Sequence, residues 1–423
     1  MRPFRWRAAA LTLVSITACT VGIRADEHVY LVGGELHVGN GRVIENSVIE
    51  IAGDTFAAVS ERSERWTPEN VPVIDVSGHW ITPGFIAGSS QLGLVEISLE
   101  GRTRDTTHVV EDPIRSGYDP APAINADSSL IAIQAIEGIT SAAVTPVGGL
   151  LSGLVSWIDL LAGDHVGIVA ARGIAVRGAI GSELDGSRAT SLERLRRVLT
   201  DARWLAANRD RHDRRELRDL AAHPMDLGAL IPVLNGTIPL IVWADRASDI
   251  LAMLDIAKEF KIRIAIEGGA EAWKTARQLA RAGVPVLLTP TRNLPQQFDG
   301  LGARLDAASL LAEAGVPLAI IDEEGTHNAR NIGQEAGIAV ANGLEWEQAL
   351  SAVTLGVARA YGMGDFYGSV EPGKIANLVV WDGDPFELST AAKRVFIRGR
   401  EIPLVSRQTL LRDRYLDLSK YRP

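Results

Sequence analysis

Histidines are the first residues to consider for chemistry, because imidazole is the commonest metal ligand in proteins and titrates near neutral pH. The chain has eight of them: His28, His37, His79, His108, His165, His212, His223 and His327. No two are spaced as His-x-His, and no His-Glu-x-x-His sequence occurs, so the chain carries no local zinc-binding motif. A metal site would therefore have to combine residues that are distant in sequence.

Serine and cysteine nucleophiles find little support in the sequence. Ser89 follows a predicted strand, but residues 88–91 read Gly-Ser-Ser-Gln and lack the Gly-x-Ser-x-Gly turn that exposes a hydrolase serine. The single cysteine, Cys19, lies in the N-terminal segment, so no intramolecular disulfide can form. Asp322 and Glu267 could form an acid–base pair without a metal, although nothing in the sequence brings them together.

The two ends of the chain carry the pattern of short antiparallel strands. Between residues 29 and 60, short apolar runs are bounded by glycine, asparagine and aspartate, which is typical of hairpins. A similar pattern returns at residues 377–381 and 395–400. We therefore expect an antiparallel β unit at each end of the chain.

The middle of the chain predicts repeated βα units. Apolar runs at residues 238–242 and 262–266 are each followed by a helical stretch. The octapeptide LARAGVPV at 279–286 is echoed by LAEAGVPL at 311–318, and each glycine can end a helix in the left-handed conformation. Several such units within about 280 residues predict a (β/α)8 barrel. An open doubly wound sheet would be favoured by a nucleotide-binding glycine motif, and none occurs.

Composition and charge limit the class of protein. Of the 423 residues, 46% are hydrophobic and 22% are charged, as in a globular protein. The net charge of −9 at pH 7 argues against a general affinity for nucleic acid or anionic membranes. The length allows one large barrel with an accessory domain, or two to three ordinary domains.

Residues 1–25 have the pattern of an export signal. Three early arginines precede an apolar run at residues 8–18, which is too short to span a bilayer that needs about 20 apolar residues. Cleavage after Ala25 predicts a periplasmic protein, whereas Ile-Thr-Ala-Cys at residues 16–19 resembles a bacterial lipobox and predicts a lipid anchor on Cys19. No later stretch is as apolar, so we expect no transmembrane segment in the mature chain.

Three segments give the chain a specific resemblance to a known family. Residues 78–86 (GHWITPGFI), 349–358 (ALSAVTLGVA) and 368–382 (GSVEPGKIANLVVWD) follow one another in a characteristic order and separation. They resemble the barrel entry, the helix before the return, and the return to the accessory sandwich in the amidohydrolase superfamily. The nearest group is the imidazolonepropionase-like and prolidase-like branch.

The resemblance implies an α/β fold in which a (β/α)8 barrel carries a composite β-sandwich built from both chain ends. With the export signal at residues 1–25, the sandwich comprises residues 26–80 and 361–423, and the barrel comprises residues 81–360. The resemblance also implies one or two divalent metals, such as zinc, at the carboxyl ends of the barrel strands. There a metal-bound hydroxide attacks a C–N, C–O or related bond.

The positions at which the superfamily holds its metals carry other side chains in this chain. Ser89 and Gln91 stand in place of the His-x-His pair, Trp243 replaces the third histidine, and Glu267 replaces the fourth. Serine and glutamine are poor ligands for such metals, and an indole N–H only donates hydrogen bonds. Asp322 matches the superfamily's general-base aspartate after the last strand. We therefore expect no metal cofactor.

Some superfamily members bridge two metals with a carboxylated lysine midway round the barrel. The first lysine here is Lys258, which already lies beyond Trp243, so that bridge cannot form. Glu183 is the candidate for a bridging carboxylate by its order in the chain.

His108 and His327 are expected in loops near the barrel mouth, because one follows the first barrel strand and the other follows the last. They are either surface residues or potential ligands. A replacement metal site could combine His327 with Gln91, Glu267 and Asp322, since strand ends converge at the top of a barrel.

Three hypotheses for function follow. The first is a degenerate amidohydrolase kept for binding or as a scaffold, either as a homo-oligomer or as a subunit assembled with an active relative. The second is an active hydrolase of C–N bonds, in a small peptide or cyclic amide, with an unorthodox site. The third is a periplasmic carrier of a small molecule, with Trp243 either in the pocket wall or merely filling volume. The long segment 93–125 is expected to cover the barrel top, where it could gate a ligand or partner.

Overall fold

The computed structural model describes residues 28–64, 66–67, 71–106, 112–181, 186–210, 219–292, 294–295, 298–322 and 326–416. The predicted export signal with Cys19, the loop residue His108 and the bridging candidate Glu183 lie outside these residues. Within the described ranges, no helix combines the length and apolar character needed to cross a membrane.

The N-terminal part of the chain forms seven short strands before the barrel begins. They are β1 (His28–Val32), β2 (Glu35–His37), β3 (Val43–Ile44), β4 (Ser47–Ala52), β5 (Thr55–Glu61), β6 (Val73–Asp75) and β7 (Trp80–Pro83). Strands β5, β4, β1 and β6 form one sheet in that order. Alternate apolar residues such as Leu31, Ile49 and Phe56 are buried together, as the strand pattern predicts.

Eight strands in chain order form the barrel sheet. They are β8 (Phe85–Ser90), β9 (Ile139–Val144), β10 (Leu151–Asp159), β11 (Val169–Ala179), β12 (Leu240–Ala244), β13 (Ile264–Gly268), β14 (Val286–Leu288) and β15 (Leu318–Ile320). Strands β8 and β9 are parallel, and so are β11 to β15. The third strand, β10, is antiparallel to both neighbours and joins them without a helix. The sheet therefore departs from a uniform (β/α)8 pattern at this strand.

Helices accompany the remaining strands and follow the barrel. They are α1 (Ser129–Ala135), α2 (Arg188–Ala207), α3 (Pro224–Ala229), α4 (Ile231–Leu234), α5 (Ala247–Phe260), α6 (Ala276–Ala282), α7 (Ala307–Glu313), α8 (Ile332–Ala341), α9 (Trp346–Val353), α10 (Leu355–Ala360) and α11 (Arg407–Leu416). Short 3-10 turns lie at Gly101–Thr103, Ala121–Ala123, Ala272–Thr275, Pro290–Arg292, Phe298–Gly300 and Ala329–Asn331. Gly283 and Gly315, which follow α6 and α7, have φ of +62° and +79°, so the repeated glycines adopt the predicted left-handed conformation.

Strands from the end of the chain complete the second sheet of the sandwich. They are β16 (Leu378–Trp381), β17 (Ala392–Ile397) and β18 (Arg400–Glu401), and the sheet order is β18-β17-β16-β7-β2-β3. Strand β16 pairs antiparallel with β7, from Leu378 opposite Pro83 to Trp381 opposite Trp80. Both chain ends thus share one sheet, which confirms the predicted fold class of a barrel with a composite sandwich.

The interior of the barrel is packed with apolar side chains. Each strand contributes at least one to a single buried cluster, which includes Ile86, Ala143, Trp157, Ala175, Ile241, Ala265, Leu287 and Ala319. Val357 of α10 and the following Tyr361 pack into the same cluster. The barrel is therefore a filled core, and any site must lie above this cluster, at the strand ends.

Candidate functional site at the barrel mouth

Six residues line a cavity because each lies two positions beyond one of the strand residues just named, on the strand or directly after it. Alternate strand residues face the same side of a sheet, so position i + 2 faces the barrel axis again, nearer to the mouth. These residues are Thr145, Arg177, Trp243, Glu267, Thr289 and Ile321. The period of two along the strands therefore accounts for the floor and walls of the site.

The cavity has a volume of about 370 Å³, within the range of small-molecule sites. Its other lining residues are Ser89, Ser90, Gln91, Ser98, Arg104, Val147, Arg292 and Asp322. Ser98 and Arg104 come from the segment after β8, which confirms that this segment reaches the barrel top. The lining is rich in hydroxyl, amide and guanidinium groups, so the cavity suits a polar ligand.

All five residues that the sequence aligned with superfamily site positions meet in this cavity. Ser89 and Gln91 lie at the end of β8, Trp243 on β12, Glu267 on β13, and Asp322 just after β15. The structure does not bring His327 to them. That residue is exposed and does not line the cavity, and its backbone carbonyl accepts a hydrogen bond from the Gln134 amide, with Nε2–O 3.3 Å.

Glu267 is buried, with 1% of its surface exposed, and both its oxygens are engaged. Arg177 donates from Nε to Oε2 at 2.8 Å and from Nη2 to Oε1 at 2.9 Å, which is a two-pronged ion pair. Ser89 donates from Oγ to Oε1 at 2.5 Å. Arg177 also donates from Nη1 to the Pro146 carbonyl at 3.4 Å. A guanidinium and a hydroxyl therefore engage both oxygens of this carboxylate at the centre of the mouth.

Trp243 lines the cavity, and its indole N–H donates a hydrogen bond to a neighbouring aspartate. Its Nε1 donates to Oδ2 of Asp245 at 3.2 Å, and the Arg292 guanidinium lies 5.7 Å from the ring centroid. The backbone N–H of Ala270 donates to the other oxygen of Asp245. Burial raises the pKa of Asp245, and these two hydrogen bonds and the Arg292 charge oppose that rise.

Asp322 is the most perturbed acid in the cavity wall. Burial raises its pKa to about 7, and the negative charges of Glu335 and Glu267 act in the same direction. Within the described part of the chain, its buried Oδ1 has no hydrogen-bond partner. A buried carboxyl oxygen without a partner needs a donor from water or from a ligand, so Asp322 is a candidate contact for a molecule in the cavity.

Comparisons with known proteins agree with this architecture. Residues 275–402 match the amidohydrolase family. The structure is similar to an amidohydrolase from Thermotoga maritima MSB8, with a TM-score of 0.79 and 23% identity over 89% of this chain and 99% of that one. Residues 275–402 thus match the amidohydrolase family, and the chain as a whole shares the fold of an amidohydrolase.

Two further similarities extend over different shares of the chains. A prolidase in complex with N-methylphosphonate-L-proline has a TM-score of 0.54 and 17% identity, over 89% of this chain and 99% of that one. The curated amidohydrolase tasK of Hapsidospora irregularis is 27% identical over 175 residues. That match spans 40% of this chain but only 18% of tasK. The structural likenesses, at such identities, show a shared fold.

The donor groups in this amidohydrolase cavity do not fit a divalent metal. Across the described residues, no three His, Cys, Asp or Glu side chains come together as a set that could hold a metal ion. Glu267 is committed to Arg177 and Ser89, Trp243 offers no lone pair, and a metal at Glu267 would be repelled by the guanidinium.

Arg177 is the central residue that the sequence analysis missed. Its signal was present, because Arg177 is the one charged residue in the run Ile-Ala-Val-Arg-Gly-Ala at residues 174–179. A charged side chain in a buried strand needs a partner of opposite charge. Nothing in the local sequence indicates that the partner is Glu267, 90 residues further on.

Proposed function

We propose that this amidohydrolase-fold protein binds a polar small molecule in its barrel mouth without a divalent metal. The single observation that carries the proposal is the state of Glu267, whose two oxygens are held by Arg177 and Ser89 below an open cavity. A site that keeps its cavity but commits its central carboxylate, Glu267, to a guanidinium is suited to binding rather than to metal-hydroxide chemistry.

The lining of the cavity supports a polar ligand. Asp322 presents a buried oxygen that lacks a partner within the described chain, so a ligand with an N–H or O–H group would satisfy it. The Trp243 ring supplies a flat apolar wall on which a ligand can pack.

Elemental mass spectrometry tests the metal-free part of the proposal. The protein would be expressed without residues 1–25 and purified without chelators or a His-tag. We expect below about 0.1 divalent ion per chain and no hydrolase activity gained on adding zinc, manganese or cobalt. About one ion per chain would overturn the proposal. Native mass spectrometry of the same sample then tests for a bound small molecule, with Asp322→Asn expected to lower its occupancy.

A second candidate function is hydrolysis of a C–N bond without a metal. The observation that favours it is the raised pKa of Asp322, because a carboxyl that titrates near pH 7 can accept a proton from water. We expect such activity on small peptides or cyclic amides to survive chelation and to rise with pH through about 7. Activity that Asp322→Asn leaves unchanged would exclude this role.

We also propose that the barrel top contacts another protein chain, as a homo-oligomer or with an active relative. Leu99 and Phe298, on loops that follow β8 and β14, are 99% and 88% exposed. Both loops follow the carboxyl ends of barrel strands, and exposed large apolar side chains at one end of a fold mark interaction surfaces. Sedimentation velocity should show an oligomer that Leu99→Glu with Phe298→Glu dissociates, while the exposed Leu388→Glu elsewhere leaves it intact.

Export remains a proposal that rests on the sequence of residues 1–25. Fractionation of cells that produce the full chain would test it. Recovery in the periplasm supports cleavage after Ala25, membrane recovery that Cys19→Ser abolishes supports lipidation, and recovery of the uncleaved chain in the cytoplasm contradicts both.

A further inference from the structure

Arg177 occupies an unusual place for a cation. It is 9% exposed, it lines the cavity, and it lies on β11, the fourth of the eight barrel strands. This is midway round the barrel, the region in which some superfamily members hold the carboxylated lysine that bridges two metals. The chain has a positive side chain there instead of a negative one.

We propose that the Arg177 guanidinium replaces the superfamily's metal as the cation of the barrel mouth, and that it positions Glu267 and Ser89 in the cavity floor. The inference rests on the proposed function of a metal-free binding site. A superfamily member with the carboxylated lysine on this strand needs bound metal ions to balance the negative charges of its site. This chain carries the balancing charge on the strand itself.

The hydrogen bonds of Arg177 account for the positioning role. Its Nε and Nη2 donate to both oxygens of Glu267 on β13. Oε1 of Glu267 in turn accepts the hydrogen bond from Ser89 on β8. Its third nitrogen reaches the carbonyl of Pro146 in the turn between β9 and β10. One side chain thus connects four parts of the mouth. A lysine could supply the charge but not this planar geometry.

A double-mutant cycle tests the charge replacement. The variants are Arg177→Met, Glu267→Gln and the two combined, compared by urea unfolding. Each single change leaves one buried charge without its partner, so we expect the unfolding equilibrium constant to rise by about 100-fold or more. The combined change removes both charges, so its effect on the unfolding equilibrium constant should be at least about tenfold smaller than the product of the two single effects. Additive effects would overturn the inference.

Chemical rescue separates a cation site from simple packing. In Arg177→Ala, millimolar guanidinium chloride should raise the thermal midpoint relative to the same concentration of sodium chloride. The control is Arg104→Ala, since Arg104 lines the same cavity but makes no contact with Glu267. A rise of the thermal midpoint in Arg177→Ala alone supports the inference. No rise in Arg177→Ala, or an equal rise in Arg104→Ala, overturns it. Arg177→Lys keeps a positive charge at this position, so guanidinium should have no effect on it, and the double-mutant cycle decides the question if the alanine variant does not fold.

The metal content of the wild-type protein separates failure of the metal-free binding site from failure of the role assigned to Arg177. Stoichiometric metal overturns the proposed function and the replacement together. A metal-free protein with additive variants and no rescue overturns only the role of Arg177 and leaves the metal-free binding site standing.

Discussion

Replacing Asp322 with asparagine is expected to stabilise the protein above neutral pH. Burial raises the pKa of Asp322 from 3.8 to about 7, so the folded state holds this proton more tightly than the unfolded chain does. Stability is therefore lost as the pH rises from about 4 to about 7, because the unfolded chain releases the proton first. A difference of about three pKa units corresponds to at most about 4 kcal/mol. Asparagine keeps the shape without the charge and avoids this cost.

Urea unfolding at pH 8 and pH 5 measures the effect. We expect Asp322→Asn to be more stable than the wild type at pH 8 by up to about 4 kcal/mol, and the gain to fall by about half at pH 5. Asp255→Asn, an exposed change on α5, is the matched control and should be neutral at both values. A destabilised Asp322→Asn at pH 8, or a gain that does not depend on pH, would refute the account of a carboxyl perturbed by burial.

Two structural predictions concern the sandwich and its junction with the barrel. Gly399→Ala should cost more than about 3 kcal/mol, because its φ is +70° and a Cβ would lie 2.0 Å from the Gly53 carbonyl oxygen. Gly41→Ala, with φ +90° and nothing within 4 Å, should cost about 1 kcal/mol, and equal losses in urea unfolding would contradict this. Tyr367→Phe removes a hydroxyl that donates to buried Asp159 at 3.0 Å. We expect a loss of about 1–3 kcal/mol by the same measurement, and no loss would show that this bond contributes little.

The sequence predicts well those parts of the site that depend on local periodicity. Trp243 and Glu267 follow apolar strand runs at matching positions, and in the structure they are direct neighbours on β12 and β13. Their placement at the mouth follows from the period of two in each strand. The glycines of the internal repeat are equally local, since a helix end requires only its own conformation.

The sequence does not predict features that depend on the pairing of distant strands. The reversal of β10 leaves no local signal, because an apolar strand reads the same in either direction. The ion pair of Arg177 and Glu267 joins β11 to β13 across the intervening strand β12, so it depends on how the whole sheet is assembled. The high pKa of Asp322 arises from burial among other acids, which the sequence around it does not encode.

The pairing of β7 with β16 has a consequence for synthesis and folding of the chain. Thr82 lies opposite Val379, so the edge of β7 stays without this neighbour until almost the whole barrel has been made. Closing a contact across so many residues is slow, whereas the antiparallel β9–β10–β11 unit pairs locally and can form early. The pairing that joins the two chain ends is therefore expected to form late, whereas the sheet of β5, β4, β1 and β6 needs only the N-terminal segment. A chain that stops before residue 378 would leave β7 with an open edge, at which such chains can associate with one another.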